Sequence, residues 1–232
     1  NQSVQETIQG YMDNLDRLAA GLAYSVNALQ TGSVTNGSTS QSLKNNLIFT
    51  NGDSTSTDTG ITAATIKLNS NLLKDPTLLN CNTTSTSGEG DGKRANAIAN
   101  INTIKMNLSK VASTEDLSSM DRATFLKEVG ITGFSDTNCL NLNAGTDGST
   151  VDSYYKSVIN NLGVASQEAT RNTNTEGVVL AKLQDDRSAV SGVSLDEETT
   201  NLIQYQHAYQ ANAKVISTVN DLLDVVINGL MK

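Results

Sequence analysis

The side chains best able to do chemistry in this chain are few and scattered. There is one histidine, His207, and two cysteines, Cys81 and Cys139, both in polar, loop-like sequence. Four-coordinate zinc sites take three or four Cys and His ligands, and His207 is the one imidazole here. One disulfide and two incidental thiols are both compatible with the spacing. No H-E-x-x-H or G-x-S-x-G motif occurs, and no second imidazole exists to serve a Ser or Cys nucleophile. The glycine cluster Gly88-Glu-Gly-Asp-Gly92 carries two acids, follows no strand and lacks the G-K-[ST] ending of a phosphate cradle, so it reads as a loop leading into a helix. Asp53, Asp58, Glu89 and Asp91 could gather a cation, but the EF-hand spacing and its terminal Glu are missing. The paired carboxylates Asp185-Asp186 and Glu197-Glu198 fall in helical sequence with no pocket to tune them. No catalytic, cofactor-binding or metal-ligating set emerges.

Composition points the same way. The 232 residues include 51 Ser and Thr and 26 Asn, a third of the chain in small uncharged polar side chains, against 4% aromatics and no Trp. Large ligand pockets usually bring more aromatic lining than this. A net charge of −8 supplies no electrostatic footprint for nucleic acid or anionic lipid. No apolar run approaches the roughly 20 residues of a membrane-spanning helix. The Asn-x-Ser/Thr triplets at Asn1, Asn36, Asn82 and Asn107 are expected by chance in so Asn-rich a chain.

The elements that would position any site are mainly helical. Ile8, Met12, Leu15, Leu18, Leu22, Val26 and Leu29 follow steps of three and four, one stripe of an amphipathic helix over 2–30. Short apolar runs at 46–50 and 63–68 flank Asn51-Gly52, which predicts a small β-hairpin near 46–68. The stretch 80–92 reads as a mobile Ser/Thr/Gly loop, after which Asp91 would cap a helix over 93–111 carrying Ile98, Ile101, Ile104, Leu108 and Val111. A short helix at 122–129, a polar loop at 136–150 and a long helix over 151–187 follow, with Gly163 and Gly177 as places where the last could kink or break.

The clearest signal is at the end. Ser194 and Glu197 form an S-x-x-E capping box, and Asp196 and Glu198 add negative charge at the positive end of the dipole. From there Leu202, Tyr205, Tyr209, Asn212, Ile216, Val219, Leu223, Val226 and Leu230 alternate steps of three and four, broadened by Ala208, Val215 and Leu222. A helix over 195–231 without Pro, and without Gly before Gly229, suits a coiled coil about 55 Å long. Either it packs on other helices of this chain, or it docks on a helix this chain does not contain.

The run 191–198, Ser-Gly-Val-Ser-Leu-Asp-Glu-Glu, and the run 201–216 from Asn201 through Tyr205, His207 and Tyr209 to Ile216 closely resemble the C-terminal segment of the flagellar hook-associated protein 1 family, the hook–filament junction proteins. Ala64 to Asn69 leading to Asp75-Pro76, Gly90-Asp91 before an Ala-rich helix, Tyr154-Tyr155 before Leu162-Gly163, and the helix from Tyr11 to Leu18 are similar too. The resemblance implies a non-enzymatic axial subunit without cofactor, exported through the flagellar secretion apparatus and assembled outside the cell as a ring of copies. Its partners would be the hook protein, the second junction protein and a dedicated export chaperone. In that family the C-terminal helix pairs with an N-terminal helix of the same protein to form the inner tube, and it also binds the chaperone. By position those roles fall on Leu202, Tyr205, Tyr209, Ile216, Val219, Leu223, Val226 and Leu230. The resemblance further implies that an N-terminal portion is missing here, and that the stretch before Asp75 is too short for the larger outer β-domain of some members.

The expectation is therefore a mainly α, elongated antiparallel helix bundle or coiled coil with a small β-hairpin. Residues 1–190 would form a helical core domain and 191–232 a C-terminal coiled-coil assembly helix. The function expected is a hook-associated junction protein on the extracellular flagellum, binding neither nucleic acid nor membrane. The rivals are a hook or distal-rod axial subunit, a surface-exposed module holding a metal on Asp53, Asp58, Glu89 and Asp91 or binding glycans, and an intracellular coiled-coil scaffold.

Overall fold

A computed structural model describes residues 2–35, 43–52, 57–111 and 117–229, with Gln2 and Ser3 given as backbone alone. Asn1, Asn36, Asp53, Leu230 and Met231 lie outside the described residues. The chain is mainly α, as its periodicity predicts. Among the described residues, the helices bounded at both ends are α1 (Gln2–Thr31), α2 (Ser70–Lys74), α3 (Lys93–Ala99), α4 (Arg122–Glu128), α5 (Val151–Ser191) and α6 (Leu195–Gly229). Three antiparallel strand pairs join them: β1 (Phe49–Thr50) with β2 (Lys67–Leu68), β3 (Lys105–Met106) with β6 (Ser149–Thr150), and β4 (Ile131–Phe134) with β5 (Leu142–Ala144). The chain divides into two compact units, Asn1–Gln167 and Glu168–Lys232, with the boundary inside α5.

The core of the first unit forms around the C-terminal half of α1. Ala20, Ala23, Tyr24, Ala28 and Leu29 are fully buried there against Ile61, Met106, Leu108, Phe125, Leu126 and Ile131. With so few aromatics, the Tyr24–Phe125 pair, centroids 5.0 Å apart and tilted by 57°, fills much of the centre. The Tyr24 hydroxyl donates to the Met120 carbonyl (3.0 Å) and accepts from the Ile61 N–H (3.2 Å). Burial pushes its pKa up to about 12.

Polar side chains on the same half-helix do the rest. The Asn27 amide donates to the Phe49 carbonyl and to Asp58, and its oxygen accepts from the N–H groups of Ile48 and Phe49. It pairs with that segment much as a neighbouring strand would. Gln30 and Asn80 exchange bonds with each other and with Lys44 and Leu78. α1 closes in a Schellman arrangement, Ser33 N–H to Ala28 and Gly32 N–H to Leu29, with Gly32 at φ +65° where a side chain would be strained. The fully buried Arg94 guanidinium binds the carbonyls of Leu29, Asn82, Thr83, Asn138 and Cys139.

These contacts correct two expectations. The stretch 80–92 is a loop pinned by Arg94, by buried Asn80 and by Asp91, which accepts from Thr83 and Lys93 N–H groups. The helix expected over 93–111 ends at Ala99 and continues as a 3-10 turn (Asn100–Thr103), β3 and a second 3-10 turn (Leu108–Lys110). Asn96, Asn100, Asn102 and Asn107 favour such local turns over helix, and the Thr103 hydroxyl bonds back to the Asn100 carbonyl. Ile101, Leu108 and Val111 are buried all the same. α5 runs unbroken through Gly163 and Gly177.

Asp58 and Arg122 form an ion pair at 2.9 Å with both side chains out of solvent. Burial raises the Asp58 carboxyl pKa, with Arg122 and Asn27 pulling it back down. Removing one partner leaves the other charged and buried, so Asp58→Ala should cost about 3–5 kcal/mol in urea unfolding, while Asp58→Leu with Arg122→Met should recover most of it. Asp121 caps α4 by accepting from Thr124 N–H (2.9 Å), and the Thr124 side chain together with that N–H holds its carboxyl below the usual range. A carboxyl depressed in the folded state adds stability above its unfolded pKa, about 3.9, that is lost as pH falls through the folded value. Asp121→Ala should therefore cost about 1 kcal/mol at neutral pH, and parallel unfolding curves at decreasing pH should show that difference shrinking towards zero.

Candidate assembly interface

α6 begins where α5 is stopped. The Gly192 N–H bonds the Ser188 carbonyl at 2.7 Å, and a Cβ at Gly192 would lie 2.1 Å from that oxygen. Ser194 then caps α6, its hydroxyl 3.5 Å from the Glu197 N–H and its carbonyl 3.0 Å from the Glu198 N–H. Asp196, Glu197 and Glu198 fill the first turn. The Ser194 arm of the capping box read from sequence is thus present, at the long end of hydrogen-bond range.

From Leu202 the predicted stripe lies along α6. Leu202, Tyr205, Tyr209, Ile216, Val219, Leu223 and Val226 are between 48 and 77% exposed. Leu230 falls outside the described residues. Every described residue from 166 to 229 is exposed, so the stripe stands open rather than buried. The structure also shows how wide the face is. In heptad lettering with Leu202 at a, the e positions are Gln206, Ala213, Asn220 and Ile227, and the g positions are Ala208, Val215 and Leu222. The acidic and basic side chains beyond the first turn, His207, Lys214, Asp221 and Asp224, fall at f and b. An a/d seam with charged e and g residues suits a two-stranded coiled coil, whereas an uncharged a/d/e/g face suits helix-bundle burial.

The other residues singled out from sequence are not brought together. Asp58 is spent on Arg122 and Asn27, Asp91 on the loop's own N–H groups, and Glu89 is exposed. Among the described residues, no group of three or more His, Cys, Asp or Glu side chains could hold a metal ion. No disulfide joins Cys81 to Cys139. Two clefts, one between Leu43, Leu79 and Thr84 and one between Asn96, Ile104 and Leu142, are lined by amides, hydroxyls and aliphatics with one lysine each, Lys44 and Lys93, and the Cys81 thiol in the first, but with neither carboxylate nor imidazole. No helix, among the described residues, is long and apolar enough to cross a membrane.

A second apolar surface escaped the periodicity. The stripe on α1 divides, with Val26 and Leu29 buried and Ile8, Met12, Leu15 and Leu22 exposed. The signal that could have separated them is the run Ser25, Asn27, Gln30 and Thr31, where polar side chains are buried beside the apolar ones.

Comparisons with known proteins bear on this geometry. Residues 187–229, which hold all of α6, match the family described as flagellar basal body rod FlgEFG protein C-terminal. Flagellar hook-associated protein 1 of Bacillus subtilis (strain 168) is 44% identical over 86 residues, 37% of this chain and 17% of that protein. Its namesakes in Escherichia coli (strain K12) and Salmonella typhimurium (strain LT2) are 36% identical over 74 residues and 35% over 79. Those matches cover 32 and 34% of this chain and 14% of each relative. The matched span is thus less than a fifth of the relatives' own length. No solved structure matches.

An open helix of this kind has few tertiary contacts to slow amide exchange. In the isolated chain, hydrogen–deuterium exchange at 195–229 should run on the order of 100-fold or more faster than at 20–30. Leu223→Glu should leave the unfolding free energy within about 0.5 kcal/mol of the parent.

Proposed function

We propose that this chain is part of a structural, non-enzymatic subunit of the bacterial flagellum, a hook-associated junction protein that connects hook to filament. The observation carrying this reading is a coincidence of position. The segment that matches a flagellar rod-protein family, 187–229, holds the helix whose uncharged face stands open. A helix that folds with a broad apolar face exposed is suited to a subunit that completes itself on assembly. The curated relatives named hook-associated protein 1 favour the junction over the hook or rod among axial positions.

In this reading residues 191–232 are the assembly element and 1–190 the body it serves. Leu202, Tyr205, Tyr209, Ile216, Val219, Leu223, Val226 and Leu230 dock on a helix supplied outside this chain, and before export the same face is shielded by a flagellar export chaperone. Copies form a ring on the extracellular flagellum between the hook protein and the second junction protein. Partner choice there rests on shape and apolar burial, because the face carries no charge at its a, d, e and g positions.

Immunogold labelling of sheared flagella from cells producing the tagged whole protein should mark the hook–filament boundary. Label along the hook or below it would make the protein a hook or rod subunit, and absence from flagella would remove the reading. Leu223→Glu should abolish incorporation and filament attachment, and pull-down with the export chaperone should show weaker capture of the variant than of the parent.

A further inference from the structure

α5 and α6 carry two apolar stripes that do not share a phase. Along α5 the steps of three and four run Tyr154, Val158, Leu162, Ala165 and Ala169, then Val179, Leu183 and Val190. Tyr154 and Val158 are buried in the core of the first unit, whereas Val179, Leu183 and Val190 are 52, 60 and 88% exposed. Extended at the same seven-residue repeat, that stripe would pass through Gln204, His207 and Ala211. The α6 stripe instead takes Leu202, Tyr205 and Tyr209, each two residues earlier. At about 100° per residue, one unbroken helix would set the two stripes about 200° apart, on opposite sides. Traced back into α5, the α6 stripe would meet Gly177, Ala181, Gln184, Ser188 and Ser191, with Val178 and Leu180 on its flanks.

The chain breaks where the phase changes, at Gly192-Val193-Ser194. The Gly192 N–H bonds the Ser188 carbonyl (2.7 Å), and a Cβ there would stand 2.1 Å from that oxygen, so the break requires glycine. Ser194 restarts the helix through its bonds with Glu197 and Glu198. These bonds all lie within a turn or so of the joint. Every described residue from 166 to 229 is exposed, so among them no packed neighbour fixes the direction or the rotation of α6. Breaking keeps Gly192 out of a helix interior and gains a cap on α6. Continuing gains the missing helical bonds, and the two offset one another.

We infer that residues 192–194 are a swivel that re-phases the two stripes, turning both to one side so that the partner helix covering α6 also lies along Val179, Leu183 and Val190. Glycine has the widest choice of backbone angles, and hinges place such a change in a few residues at element ends. The use of the swivel rests on the reading that α6 docks on assembly. The rotation itself is a property of the chain alone.

Two measurements test it. In a Cys81→Ser, Cys139→Ser background, spin labels at Gln184→Cys and Gln210→Cys should give a broad distance distribution, mostly below the roughly 39 Å of a straight helix. Gly192→Ala, whose Cβ the break cannot hold, should narrow it to that value. A single narrow distance in the parent would overturn the swivel, and so would a distribution that Gly192→Ala leaves unchanged. In cells producing the whole protein, Gly192→Ala should cause loss of incorporation into flagella. Two alanines inserted after position 192 of that variant align the stripes along one continuous helix and should restore incorporation, whereas one inserted alanine should not. Restoration by both insertions, or by neither, would overturn the re-phasing. Should the parent itself be absent from flagella, the flagellar reading fails, and the spin-label distances alone decide the swivel.

Discussion

The first unit depends on a polar constraint more than on an apolar one. Asn27 is completely buried in α1, and its amide makes four hydrogen bonds, three of them to the backbone at Ile48 and Phe49 and one to Asp58. Asp58 in turn holds Arg122, and Arg122 reaches the Thr35 carbonyl beyond the end of α1. One side chain thus ties the hairpin strand, an ion pair and α4 to the same half-helix. A third of the chain is Ser, Thr and Asn, too little hydrocarbon for a large core, and side-chain amides take over work that aromatic packing does elsewhere. Arg94 does the same for the loops at 82–83 and 138–139, using backbone carbonyls alone as its partners. A guanidinium satisfied by peptide oxygens needs those loops in one arrangement, because its donors form a rigid planar fork.

The contrast with the second unit is physical rather than compositional. α6 is at least as apolar in composition as α1, yet its described side chains are exposed while the C-terminal half of α1 is buried. An apolar stripe states a requirement for a neighbour without supplying one. In α1 the neighbours are loops drawn in by Asn27, Gln30 and the last carbonyls of the helix. The surface of α6 carries threonines that bond back to their own helix carbonyls, Thr199 to Leu195, Thr200 to Asp196 and Thr218 to Lys214, and so hold no other segment. Such a helix suits a subunit that completes its packing when it assembles, and matching flagellar proteins over the same residues gives that arrangement a use.

Long helices were legible because three- and four-residue steps persist over many turns: α1, α5 and α6 stand within a few residues of their predicted ends. The α6 cap and the stripe positions were legible for the same reason. The region 93–111 was misread because its apolar spacing is helical while its asparagines are not, and the same buried residues can be delivered by turns and a two-residue strand. The loop at 80–92 was misread because its order comes from Arg94, a residue whose local sequence says only that it starts a helix.

Sequence by itself determined the helical periods, the capping box, the uncharged a, d, e and g positions of α6, and the lack of any nucleophile–base pair or metal-ligand spacing, since all of these are local in the chain. Only the tertiary structure decided which apolar stripe would be covered. It buried Asn27, Asp58, Arg94 and Arg122 by bringing together residues as many as 87 positions apart, Arg122 and the Thr35 carbonyl among them. It likewise divided the α1 stripe into a covered half and an open one. Burial is a property of the neighbour as much as of the residue, and neighbours so distant in sequence leave no mark in the local pattern.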